Sequence, residues 1–403
     1  MDNSNSYNGS PANTGPAEVV NEKKRRTSSK RRRRFDTMRL IRSCLYILYT
    51  CALVYVFINV IGFIGKGIYN IASNSFGSRK EEPTYTDPVY DNSPVNSGVC
   101  GDDLYWELED NGNLNITGTG TMFTWNSSSD VPWNEFRYSI KSVSLSDDTT
   151  SIGNYAFTSC VHLSEISFPR QLTYIGNSAF QNTDLIKIYL PNNLTEISRN
   201  AFKSCMSLET VSIANSVKTI GDSAFEGCTK LKTISFSTNM TSIGDYAFSE
   251  CFGLENIELP KKLTKIGTGA FGSCTHLAGL TIPSSVTTIG NSAFAGCLGL
   301  KKVAGGAKVV SIGNYAFSNC PELKSFTINS SGLKKIGAYA FSKDKNLGTI
   351  VLPKTTKLTK SGVKDSLKDS NVSVVKVKKS KVKKYKKFFK TANSGKSVKV
   401  KKK

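Results

Sequence analysis

Seven cysteines recur in this chain at a nearly fixed interval: Cys160, Cys205, Cys228, Cys251, Cys274, Cys297 and Cys320. Thiols in series could hold a soft metal, exchange disulfides or act as nucleophiles. A zinc site needs ligands paired at short spacing, such as two cysteines flanking two residues or a histidine pair, and none of these cysteines has such a partner. Side chains stacked in a column point parallel to one another, which is the wrong geometry for an S–S bond. Thr183 takes the same place in one copy of the pattern. The column therefore reads as small, buried, unbridged core residues. Cys100 lies outside it and has no assignment, and Cys44 and Cys51 fall in an apolar run without a lipoprotein cleavage signal before them.

The two histidines, His162 and His276, both stand just before a recurring leucine, where other copies carry Ser207, Lys230, Gly253, Gly299 or Glu322. A general base needs a positioned nucleophile and an orienting acid, and neither accompanies this variable place. Gly267, Gly269 and Gly272 spell the spacing of a dinucleotide-binding loop, but the repeat itself supplies Gly267 and no βαβ unit surrounds it. The sequence assigns no catalytic residue, no cofactor and no metal, so the chain is expected not to be an enzyme.

What positions all these residues is one repeated frame: Ile-Gly-x-x-Ala-Phe-x-x-Cys-x-x-Leu-x-x-Ile-x-(Phe/Ile/Leu)-Pro-x-x-(Leu/Val)-Thr-x. Nine copies begin at Ile152, Ile175, Ile197, Ile220, Ile243, Ile266, Ile289, Ile312 and Ile336, spaced 22 to 24 residues apart. In the fourth copy Leu231, Ile234 and Phe236 fit a short strand, while Ile220, Ala224, Phe225 and Cys228 fit one side of a helical turn. A unit this small cannot bury its apolar set alone. Stacking does so, and makes the chain a solenoid with strands about 4.8 Å apart and a body on the order of 40 Å long. Glycine holds the second place in eight copies, where its freedom to take positive φ suits a sharp corner. Ser198 fills that place in the third copy, which reads as a tolerated turn.

These residues resemble the BspA-like class of leucine-rich repeats. The resemblance spans residues 152 to about 353, and Cys100-Gly101, Trp106, Gly118-Thr119-Gly120 and Pro132-Trp133 look like that family's N-terminal module. It implies a leucine-rich repeat solenoid of short strands and helical turns and a cell-surface role in adhesion or binding; the single N-terminal transmembrane helix expected before the solenoid is read from the apolar run at 44–64. Independently, Asn111-Gly112 between two alternating apolar runs signals a hairpin that would cap the first coil. The expected organisation is a hairpin cap module at 97–151, the nine repeats at 152–353 and a Lys-rich cap or tail at 354–403.

The net charge of +22 sits at the two ends: residues 1–43 carry 11 Lys+Arg against 4 Asp+Glu, residues 354–403 carry 19 against 2, and the rest carries 23 against 25. A nearly neutral body offers no basic track for a phosphate backbone, so nucleic acid is not an expected partner. Residues 44–64 are uncharged and apolar, long enough to cross a hydrocarbon core of about 30 Å. Eleven basic residues precede this run and Lys66 alone follows closely, which keeps a tail at 1–43 cytoplasmic and the repeats outside. A cleaved signal peptide would have a shorter apolar region, of about 7 to 15 residues. Residues 65–96 read as a polar linker. At the other end two readings stand, a disordered polycation or a folded cap built on Val374, Val375, Val377 and a helical face of Val382, Tyr385, Phe388 and Phe389. Either presents Lys383, Lys384, Lys386 and Lys387 to an anionic cell-wall polymer.

On each strand the residues flanking the buried isoleucine should face solvent. Among these outward residues are Glu165, Lys187, Tyr189, Thr210, Ser212, Thr233, Ser235, Asn256, Glu258 and Thr281. Small hydroxyls dominate, and of the aromatic or arginine anchors that mark hot spots only Tyr189 is present. A solvated sheet face and a binding face are both compatible with that composition. The expectation is a single-pass surface protein that binds an extracellular protein or glycan. Its rival is a structural envelope protein held to anionic wall polymers by its basic end.

Overall fold

The computed structural model describes residues 96–353, 356–390, 392 and 397–403. The expected basic tail 1–43, apolar span 44–64 and linker, apart from its last residue, lie outside the described residues. Among the described residues no helix is long and apolar enough to cross a membrane.

The chain enters through β1 (Ser97–Val99), β2 (Gly101–Leu108) and β3 (Asn113–Met122), with β2 antiparallel to both β1 and β3. Gly112 closes the β2–β3 turn at φ +89°, and its N–H donates to Glu109 O at 2.9 Å. Leu104, Trp106, Leu114 and Ile116 point inward and are buried. β3 then starts two parallel sheets at once. Its first half pairs with β4 (Ser142–Leu145), and Gly120 and Thr121 pair with β5 (Thr149–Ile152).

From there successive repeats extend two faces, most of them by a rung paired to the coil before. On the strand face Lys187–Tyr189, Thr210–Ser212 and Thr233–Ser235 lie side by side in parallel, offset by one repeat. On the second side the Ile-Gly segments form two-residue strands with the same offset, Ile220 against Ile243 against Ile266. Between the sheets the frame residues stack in columns. Nine phenylalanines from Phe157 to Phe341 lie centroid to centroid at 5.1 to 6.0 Å, and Trp133 begins the stack 5.7 Å from Phe157. Trp133 is fixed there by its Nε1–H, which donates to Ala156 O at 2.7 Å.

The third side departs from the sequence expectation of a helical turn. In the first repeat the bonds are of i to i+3 type, Thr158 N–H to Tyr155 O at 3.0 Å and Cys160 N–H to Phe157 O at 3.1 Å. Tyr155 and Ser159 are left-handed, with φ of 60° and 61°. Alternate amides cross to the next coil instead, Tyr155 to Asn177 O at 2.9 Å, Phe157 to Ala179 O at 2.7 Å and Ser159 to Gln181 O at 2.8 Å. The reason is where the amides go: Tyr155, Phe157 and Ser159 spend theirs on the next coil and so cannot close the i to i−4 bonds of a helix.

The glycine column also has a different cause from the corner expected. Gly244 and Gly267 are not in the left-handed region. A Cβ on Gly267 would stand 2.4 Å from Gly244 O, so the glycine is demanded by the approach of one coil's backbone to the next. Ser198 shows what happens without it. Its Oγ–H donates to Ile175 O at 2.5 Å, replacing the bond that Gly221 N–H makes to Ile197 O at 2.7 Å. The second sheet is interrupted there, between Tyr174–Ile175 and Glu196–Ile197.

The Lys-rich end continues the strand face. Val374–Val377 pairs in parallel with Thr349–Val351, and Lys399–Lys402 pairs with Val374–Val377. Between these two strands lies helix α1 (Val382–Phe389), which buries Tyr385 and Phe389. Tyr385 OH donates to Thr356 O at 2.7 Å.

Candidate functional site

In a strand successive side chains alternate between faces, so Ile188 and Val211 enter the core while their neighbours face outward. This places Lys187 beside Thr210 and Thr233, and Tyr189 beside Ser212 and Ser235, as two straight columns. Glu165 lies one coil earlier. Asn256 and Glu258 lie on a strand-face segment that joins no ladder, and Thr281 belongs to the next group of strands, beside Ala304. The ten residues therefore share one face but not one unbroken sheet. Glu165, Lys187, Tyr189, Asn256, Glu258 and Thr281 are exposed, whereas Thr210 and Ser212 are half-buried.

Three of the ten, Glu165, Lys187 and Tyr189, line one open cleft of about 490 Å³ together with Ser142, Val143, Ser164, Ile166, Ser167 and Ile186. The cleft exists because Glu165–Ile166 and Lys187–Tyr189 are not paired, although both belong to strand ladders on their other sides. Tyr189 is 65% exposed and Ile186 41% exposed, so an aromatic ring and an aliphatic side chain stand at its edge between a carboxylate and an ammonium group. Sequence reasoning found Tyr189, Glu165 and Lys187 from alternation but missed the cleft and Ile186. Two signals were present: Phe168 in a place that most other copies give to leucine or isoleucine, and a second copy with Asp184 alone between the cysteine-column residue Thr183 and Leu185.

Of the other residues with possible chemistry, the thiols are inaccessible. The eight described cysteines are free and buried. Burial pushes the column thiols up, Cys205 to about 11 and Cys274 to about 12, and a thiol kept protonated in the core neither attacks nor ligates. Cys228 Sγ–H donates to Phe202 O at 3.2 Å, and Cys251, Cys274, Cys297 and Cys320 repeat the bond one coil at a time. His162 is exposed, and the exposed His276 ring lies 2.7 Å from Phe252 O through Nδ1. Sequence reasoning overlooked Asp344, which occupies the cysteine place of the ninth copy, fully buried. At the far end, Lys383, Lys384, Lys386 and Lys387 are all exposed on α1.

The sequence profile of a family described as "BspA type Leucine rich repeat region (6 copies)" matches residues 132–251, 195–322 and 272–396. No curated protein matches the chain. Among solved structures it is similar to a leucine-rich repeat protein from Bacteroides ovatus, with 20% identity, 75% of this chain and 99% of that one covered, and a TM-score of 0.42. It is similar also to a leucine rich cell surface protein from Faecalibacterium prausnitzii, with 23% identity, 79% and 95% covered, and a TM-score of 0.40. A third, a leucine-rich repeat protein from Eubacterium ventriosum, gives 23% identity, 68% and 95% covered, and a TM-score of 0.38.

Proposed function

This chain belongs to the BspA-type leucine-rich-repeat family, and from that footing we propose that it is a membrane-anchored recognition protein of the cell surface. Its strand face binds an extracellular protein or glycan, and no catalysis is assigned to it. The observation that carries this reading is the cleft at Glu165, Lys187 and Tyr189, where an exposed aromatic ring, an aliphatic side chain and both charges meet. Hot spots favour such aromatic anchors inside a polar rim. Residues 44–64 supply the anchor, and the basic tail before them sets the repeats outside. The Faecalibacterium protein's description as a cell surface protein is in keeping with that placement.

The test displays the full chain on cells and measures retention on immobilised extracellular proteins and on glycan arrays. The double substitution Tyr189→Ala and Lys187→Glu should abolish retention while the chain stays surface-exposed to added protease. Undiminished binding by the double variant, or repeats that protease cannot reach, overturns the reading.

A second reading is favoured by a separate observation. α1 buries Tyr385 and Phe389 and turns four lysines outward, which is the chemistry of attachment to an anionic wall polymer.

A further inference from the structure

The strand face is laddered from coil to coil except at three joins, which follow Phe168, Phe236 and Leu259, and two of these exits carry a phenylalanine. Phe168 and Phe236 hold the last inward place of their strands, where Leu190, Ile213, Ile282, Gly305, Ile328 and Leu352 stand in copies that pair with the next coil. Each ring stands edge-on to the phenylalanine of the following coil, Phe168 to Phe180 at 5.6 Å and 87°, Phe236 to Phe248 at 5.6 Å and 86°. Beyond Phe168, Glu165–Ile166 and Lys187–Tyr189 are unpaired; beyond Phe236, residues 256–258 join no strand at all. Phenylalanine is harmless one inward place earlier, since Phe326 pairs with Ile350 in an intact ladder. At the strand's exit the ring acts as a wedge that holds the next coil away, and after Phe236 the unpaired segment 256–258 carries the break on past Leu259 to Gly279–Ile282.

The first wedge leaves main-chain groups without a neighbour. Ile186 O accepts from Glu209 N–H at 2.8 Å, and Leu190 N–H donates to Ser212 O at 3.0 Å. The ladder between those two bonds commits the main chain of Ile188 to the third coil. Since main-chain groups alternate sides along a strand, Lys187 and Tyr189 direct theirs toward the first coil. Only Ile186 N–H crosses at the entrance, to Ser164 O at 3.2 Å, and the strands then part. An unpaired strand edge beside an open cleft is a template for another main chain, and at about 490 Å³ the cleft falls in the range of ligand sites, roughly 300 to 1,000 Å³.

We infer that the Lys187–Tyr189 edge receives an extended peptide segment of a partner protein, which adds its main chain as a strand, and that Phe168 is the positioning residue that keeps this edge open. The inference rests on the reading of the strand face as the binding surface and names its ligand as peptide rather than glycan. Alternating donors and acceptors at strand spacing match a peptide backbone. Lys187 on one wall and Glu165 on the other select a guest with an acidic residue toward the first and a basic residue toward the second, which fixes its direction.

Hydrogen exchange resolved to single amides, on the full chain in detergent, tests this. The probe is an acetylated, amidated hexapeptide of alternating valine and threonine with one glutamate and one lysine. Without the peptide, the Lys187 and Tyr189 amides should exchange at least about tenfold faster than those of Thr210 and Ser212, which are bonded in the ladder. Saturating peptide should slow Lys187 and Tyr189 at least about tenfold. Phe168→Leu should slow the same two amides without peptide and remove the peptide's effect, with unchanged Thr210 and Ser212 protection showing an intact fold. Amides already protected in the parent chain, or unaltered by Phe168→Leu, refute the wedge. Protection by a hexasaccharide and none by the peptide refutes the ligand class and leaves the broader strand-face reading standing.

Discussion

The main-chain N–H of Cys320 donates to Oδ1 of Asp344 at 2.8 Å, at the level where the column of thiols ends. Asp344 is fully buried, its Oδ2 has no partner, and burial pushes its carboxyl up to about 8 despite the bond from Cys320. The folded state therefore holds a proton that the unfolded chain releases near its ordinary value of about 3.9. The stabilisation linked to that proton is complete below about pH 4 and is lost as pH rises through about 8. Thermal melting across pH 4 to 9 should show the repeats weakening by on the order of a few kcal/mol. Asp344→Asn should flatten the profile over that window. An identical pH dependence in the variant would show that Asp344 does not carry it.

A second expectation follows from the glycine column. Gly267→Ala places a Cβ 2.4 Å from Gly244 O, a clash with backbone that no rotamer relieves. Overpacking of this kind destabilises by about 1 to 3 kcal/mol or more. Gly279→Ala is the matched control, because nothing lies within 4 Å of its Cβ and the residue is in a strand. That change should be neutral or stabilise by up to about 1 kcal/mol. Equal melting temperatures for the two variants would refute the close-approach explanation.

The thiols give a third. Each described cysteine is buried, and those of the column are raised above ordinary thiol values, so maleimide should leave all eight unlabelled in the folded chain and modify them on unfolding. Chelators and reductants should leave the melting temperature unchanged. Cys251→Ala removes a packed sulfur and its bond to Phe225 O, and should destabilise by roughly 1 to 2 kcal/mol. Rapid labelling of any column cysteine at neutral pH would contradict the buried ladder.

The frame was legible because its conserved spacing is the core itself: Ile152, Ala156, Phe157, Cys160 and Leu163 are all buried, and the Asn111-Gly112 signal forms its hairpin. What eluded the sequence were contacts between coils. Ile220, Ala224, Phe225 and Cys228 fit one side of a helix or the inside of successive turns equally well, and the bonds that distinguish them, from Ser223, Phe225 and Gly227 N–H to the next coil, are tertiary. Glycine at 267 looked like a corner residue because its neighbour one coil away is 23 positions distant in sequence. Phe168 counted as one more apolar residue in its place, since its effect depends on the ring of Phe180. Tyr189 was found because it breaks a column of small side chains, a signal that composition alone can carry.

The lysines of α1 allow the two readings of this surface to be separated. Tyr385 and Phe389 fix the helix to the solenoid, so Lys383, Lys384, Lys386 and Lys387 can be changed together to glutamine without touching its buried side. Attraction between such a cluster and a polyanion is screened within about 8 to 10 Å at physiological salt, and weakens steeply as salt rises. On cells whose envelope carries anionic polymer, the full chain with residues 44–64 deleted should be retained at low salt and released by raised salt, and the glutamine variant should be released at low salt already. Melting temperatures should agree within a few degrees, because exposed lysines contribute little to stability. Retention that ignores both salt and the four substitutions would remove the wall-attachment reading, leaving the strand face as the binding surface.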